Sequence, residues 1–198
     1  MDQWGFKTMT NFKKIAVMGT AAVALVATPA FAAPVSNSNG KAKARVVKPL
    51  TLTIVGNDTL DFGTIVLPAG ATGTNAVVSI EASSAGTVGT AGACGTDFVC
   101  SGAVAAAINY NITGTQGQEV DVTLPPSATI TLVGGTDTLT VNLTTDLSDS
   151  DSDGFYDVAL SNSGAPGDDF YVGGSLTVAD TTVEGDYEGT FTVTADYQ

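Results

Sequence analysis

Three observations predict an all-β chain folded as two antiparallel sheets packed face to face. Apolar and polar residues alternate at period two through most of the sequence, which puts alternate side chains on one sheet face. The alternating runs are short and are separated by clusters of Gly, Asn, Asp and Ser, which tolerate the positive φ of tight turns. Between runs and turns, helix has no room.

The opening segment reads as an export signal and not as fold. Lys13 and Lys14 supply a positive start, residues 15–27 an apolar run, and Ala30, Phe31 and Ala32 a small-x-small cleavage site. The expectation is a signal peptide over residues 1–32 and a mature chain beginning at Ala33. Met9, just ahead of the lysines, is a second candidate start. The apolar run is shorter than the roughly 20 residues a membrane span needs, so the product is expected to be soluble, in the periplasm or at the cell surface. Removing it leaves 166 residues (198 minus 32), which suits one domain with a real core. Residues 33–45 are polar and basic and read as a flexible lead-in to a domain over 46–198.

All seven cations lie at or before Lys48, and nineteen of the twenty acids lie after it, so the mature chain carries 4 minus 19, or −15. Such a surface repels nucleic acid and anionic headgroups and attracts divalent cations or basic partners. No histidine occurs, which excludes Ser–His and Cys–His nucleophiles and zinc hydrolase geometry. The absence of lysine beyond Lys48 excludes a Lys-based nucleophile in the body of the domain. A glycosidase-type carboxylate pair is the chemistry left, but acids in turns and on polar strand faces read as solvation, and no enzyme activity is expected.

Along the chain, LTLTIV sets Leu50, Leu52 and Ile54 on one face. Short runs follow at 61–67 and 76–80; then VAAAINYNI aligns Val104, Ala106, Ile108, Tyr110 and Ile112. Runs at 120–124 and 129–133 precede TLTVNLT, which aligns Leu139, Val141 and Leu143, and the last three lie at 155–160, 170–178 and 187–197. GND, PAG, TGTQGQ, VGGTD, SGAPGDD and VEGD supply the turns. Residues 82–102 form the longest expected loop, and Cys94 with Cys100 inside it reads as a disulfide that staples that loop. Closing so short a ring stabilises by about 2 kcal/mol at most. About ten strands at this spacing predict an immunoglobulin-like β-sandwich of two antiparallel sheets, with a jelly roll or partly closed barrel as the alternative.

The stretch DLSDSDSDGFYDV, residues 146–158, carries five aspartates and no cation. Calcium takes six to eight hard oxygens, and Asp-x-Asp-x-Asp-Gly supplies carboxylates on alternate residues while the glycine permits the bend that wraps them round one ion. Asp149, Asp151, Asp153 and Asp157 are the expected carboxylate ligands, with the Phe155 carbonyl among them. An EF-hand would place its closing glutamate at Leu160, so this is not a helix-loop-helix site. A weak calcium clamp between two strands is expected, with Kd on the order of 10⁻⁴ to 10⁻³ M. A solvated Ser/Asp linker is the other reading.

At the C-terminus, Tyr187, Phe191, Val193, Ala195 and Tyr197 alternate with polar residues in a strand suited to edge pairing. KPLTLTIVGNDTLDFGTIVLPAG, VGGSLTV and GDYEGTFTVTADYQ resemble the secreted bacterial family catalogued as domain of unknown function 4402, over roughly 46–198. That resemblance implies a β-sandwich and carries no established activity. The ending is also similar to the C-terminal motif of chaperone–usher pilus subunits, whose last strand pairs with a periplasmic chaperone and whose sandwich a neighbouring subunit completes. It implies that Phe191, Val193, Ala195 and Tyr197 form an assembly strand facing chaperone pockets or the core, with self-association through strand pairing. The lead-in departs from a donor segment, offering only Ala42, Ala44 and Val46 between Lys41, Lys43 and Arg45. The functional expectation is an exported structural or surface-assembly protein, a fimbria-like subunit with a calcium-binding loop. The alternatives are a self-contained secreted sandwich and a carbohydrate-binding module. The latter would stack sugars on tyrosines, because Trp4 leaves with the signal.

Overall fold

The computed structural model describes residues 40–85, 94, 97–104 and 106–198. The expected signal peptide and most of the lead-in lie outside them. Among the described residues all regular structure is strand, in twelve elements. They are β1 (Thr51–Ile54), β2 (Thr64–Val66), β3 (Asn75–Ile80), β4 (Val99–Ser101), β5 (Ile108–Thr113), β6 (Glu119–Thr123), β7 (Ser127–Leu132), β8 (Thr138–Thr145), β9 (Tyr156–Ala159), β10 (Asp168–Ala179), β11 (Tyr187–Glu188) and β12 (Thr194–Tyr197).

The long strand β10 organises a seven-stranded antiparallel sheet ordered β1-β5-β10-β8-β7-β11, with β3 also on β10. One edge of β10 pairs first with β5, through Phe170↔Tyr110 and Val172↔Ile108, and then with β3, from Gly174↔Ile80 to Ala179↔Asn75. Its other edge pairs with β8. Residues in register share a face, so Phe170, Val172, Leu176 and Val178 lie beside Tyr110, Ile108, Val78 and Ala76 and form one continuous buried layer.

Two smaller sheets cover that layer. The sheet β12-β6-β9 brings Val120, Val122 and Val158 onto Ile108, Tyr110, Ile112, Phe170 and Val172. The β2-β4 ribbon, with Phe62 and Phe98, packs on Val78, Ile80, Val141, Leu143, Leu176 and Val178. The result is the predicted all-β sandwich. The disulfide joins Cys94 and Cys100 with Cα atoms 5.9 Å apart and places the buried Cys94 in this second cluster.

Two expected boundaries differ. The loop expected over 82–102 contains β4, which exists because Cys100 pairs with Ile65. The run at 187–197, read as one strand, is two: β11 pairs with β7 in the large sheet, and β12 pairs with β6 in the small one. The chain changes sheet at Gly189, where an added Cβ would lie 3.0 Å from the Ile130 Cα and closer still to the Thr129 carbonyl oxygen. Phe191, just beyond, packs against both core clusters.

The C-terminal strand fastens the start of the domain. The Tyr197 hydroxyl donates to the Lys48 carbonyl at 2.9 Å and accepts from the Thr115 amide at 2.8 Å. Arg45 lies over the Tyr197 ring, 5.9 Å from its centroid, and donates to the Gln198 carbonyl at 2.7 Å and to the Gln118 side chain. Tyr197→Phe removes both hydroxyl bonds and is expected to cost about 1–2 kcal/mol in urea unfolding. A change below about 0.3 kcal/mol would mean that the clasp carries no stability.

Candidate metal centre

Residues 146–155 link β8 to β9 as an exposed acidic loop. Its neck is closed by the Asp157 amide donating to the Ser148 carbonyl at 2.9 Å. Within it, carboxylates organise the backbone because Asp side chains bond amides two or more residues ahead. Asp149 accepts from the Ser152 amide at 2.6 Å and from the Gly154 amide at 3.1 Å. Asp151 accepts from the Asp153 amide at 3.2 Å, and Asp153 from the Phe155 amide at 2.9 Å. Two left-handed residues make the bend: Gly154 at φ 96° and, at some steric cost, Ser152 at φ 65°.

The outcome is convergence. Asp149, Asp151 and Asp153 each present a carboxylate oxygen within 4.8 Å of the others, all on exposed residues. Asp157 lies outside this trio. It accepts at 2.5 Å from both the amide and the hydroxyl of Ser150, and at 3.1 Å from the Gln198 side-chain amide. It therefore fixes Ser150, which sits between two converging carboxylates, and ties the loop to the C-terminal residue. Phe155, 40% exposed, gives its amide to Asp153.

The electrostatics divide the same way. Asp151 is held above the usual carboxylate range, first by lost hydration under the folded loop and then by the charges of Asp153, Asp157 and Asp149, with the Asp153 amide opposing. Asp157 is held below it, first by the Ser150 hydroxyl, then by the Ser150 amide, with Gln198 adding. Asp180 is also lowered, chiefly by the amides of Gly73 and Thr72, which it caps at 2.6 and 2.5 Å.

A pH dependence follows from these directions. Asp157 and Asp180 have folded values below their ordinary 3.8, so their stabilisation is complete above 3.8 and is lost as pH falls below it. Asp151 has the opposite sign: its charged form is disfavoured in the fold, so in ion-free protein its destabilising effect grows as pH rises through its raised value. Melting curves in chelator should therefore show stability falling below pH about 4. Any calcium effect should fade at a higher pH than that, as Asp151 takes up a proton. An acid transition unchanged by Asp157→Asn combined with Asp180→Asn would contradict the assignment.

Sequence reading misses a second feature beside the loop. Register places Asp196, Asp121 and Asp157 abreast across β12, β6 and β9 on the outward face of the small sheet. The Asp121 Oδ1 is shielded from solvent and has no hydrogen-bond partner. Alternation in EVDVT and TADY marks these acids as outward-facing, but their alignment depends on pairing between distant strands.

Among the described residues, a sandwich without helix, with one disulfide and an acidic interstrand loop, defines an all-β module. The chain belongs to the family described as Domain of unknown function (DUF4402), whose model matches residues 52–197. No curated protein matches the chain, and no solved structure does.

Proposed function

We propose that the chain is an exported structural protein, a fimbria-like surface subunit, whose loop at 149–157 is clamped by calcium. One observation carries the ligand: three carboxylates converge within 4.8 Å in a chain that has no Lys or Arg beyond Lys48 to neutralise them. A divalent cation converts their repulsion into affinity, with backbone carbonyls such as that of Phe155 and water completing the oxygen shell. Three carboxylates without a bidentate glutamate suit a Kd on the order of 10⁻⁴ to 10⁻³ M, matched to extracellular calcium. The disulfide supports export. Among the described residues, no helix is long and apolar enough to cross a membrane. The role is non-catalytic.

Assembly by strand pairing would use the edge of β12, which among the described residues ends the small sheet. One observation favours the self-contained alternative: Phe191, Val193, Ala195 and Tyr197 all pack against the chain's own core. Electron microscopy of sheared surface material decides between them, since filaments containing this chain support the subunit and monomer alone supports the free module.

Calcium at ten times Kd is expected to stabilise by about 1.4 kcal/mol. For a domain of this size that raises Tm by about 3–5 °C. The Asp151→Ala, Asp153→Ala variant should lose the shift. A wild-type melt that ignores calcium would remove the clamp from the proposal.

A further inference from the structure

We infer that Arg45–Val46 is a processing site, cut by an endoprotease with an acidic pocket for a basic side chain, and that the C-terminal strand guards it. The distribution of cations singles out the place. From Pro49 onward, 150 residues (198 minus 48) hold no Lys or Arg, where ordinary composition would place roughly 15–20. An enzyme that selects Lys or Arg in its specificity pocket therefore finds no bond to cut in the sandwich, folded or unfolded. Its targets all lie ahead of Pro49.

Residues 40–49 are exposed and without regular structure, which is where proteolytic nicking concentrates. Lys48, the basic residue nearest the sandwich, is protected twice. Its bond runs to the imide nitrogen of Pro49, and its carbonyl, the group a protease must attack, accepts the Tyr197 hydroxyl at 2.9 Å while its amide donates to the Thr115 Oγ1 at 2.6 Å. Arg45–Val46 is thus the last bond open to the enzyme. Val46 is 90% exposed, and among the described residues the backbone of 45–47 makes no hydrogen bond.

What restrains the cut is the Arg45 side chain. It must leave the Gln198 carbonyl, 2.7 Å away, the Gln118 side chain and the Tyr197 ring before it can enter a specificity pocket. These holders lie at the end of β12 and just before β6, so displacement of β12 frees the guanidinium and opens the site. Hydrolysis then adds one water across the amide, leaving a carboxylate on Arg45 and an ammonium on Val46. Lys48 is left as the last side-chain cation of the sandwich.

Limited digestion of the folded whole chain, with trypsin as the probe and intact mass as the readout, tests this. A product beginning at Val46 is expected to accumulate and persist, with Lys48–Pro49 uncut. Gln118→Ala should speed the Arg45 cut about tenfold, because cleavage follows the population in which the side chain is free. Arg45→Lys keeps a cleavable residue but loses the forked grip, so it should be cut faster by a similar factor. Cuts after Lys41 and Lys43 are internal controls that both variants leave unchanged. Chain recovered from the cells that make it should begin at Val46. Recovered chain that still carries Arg45 would overturn the processing, and an Arg45 cut that stays at the wild-type rate in both variants would overturn the guard.

Discussion

Phe170→Ala is expected to lower the unfolding free energy by about 3–5 kcal/mol. Phe170 is 1% exposed and sits in β10 where the large sheet meets the small one. It stacks on Tyr110 across the β5–β10 pair, ring centroids 5.2 Å apart and planes 10° from parallel. Truncation empties the middle of a cluster built from two sheets, and neither sheet can close the void without breaking its own hydrogen-bonded register. Domains of this kind hold about 5–15 kcal/mol in all, so the variant should sit near its threshold at growth temperature. Urea unfolding measures the effect; a loss under about 1 kcal/mol would show that the two layers do not meet at this ring.

Gly173→Val is expected to cost at least about 3 kcal/mol, the upper end for overpacking. At this point β10 exchanges one neighbour, β5, for another, β3. A Cβ here would lie 2.7 Å from the Ala82 amide nitrogen and closer still to the Ile80 carbonyl oxygen. Both obstacles are backbone at the end of β3, so no side-chain rotation relieves them. Gly70→Ala is the control, because an added Cβ there meets nothing within 4 Å, and it should stay within about 0.5 kcal/mol. Equal effects at the two sites would refute the close approach.

What the sequence reveals and hides follows from range of interaction. Runs such as INYNIT, with alternate residues buried, announce themselves because one face of each strand is solvent-facing and the other is core. The strand VCS does not, since only three residues pair and its reason for being extended is Ile65, far away in sequence. Alternation also runs unbroken through the sheet change at 189–193, so a period-two pattern cannot mark the crossing; Gly189 alone hints at it, through the tight approach to Thr129. The Asp149, Asp151, Asp153 convergence is legible because it is made within five residues by local bonds. The Ser150–Asp157–Gln198 link and the alignment of Asp121 with Asp196 are tertiary, and nothing local encodes them.

The central claim is that the sandwich presents an acidic interstrand loop able to hold one divalent ion. Equilibrium dialysis against radioactive calcium at neutral pH addresses it without reference to stability or assembly. One saturable site per chain is expected, with Kd on the order of 10⁻⁴ to 10⁻³ M. Asp151→Asn with Asp153→Asn should abolish it, and Asp121→Asn should leave it in place. Binding that never saturates up to about 10 mM, or that survives the double change, would contradict the account.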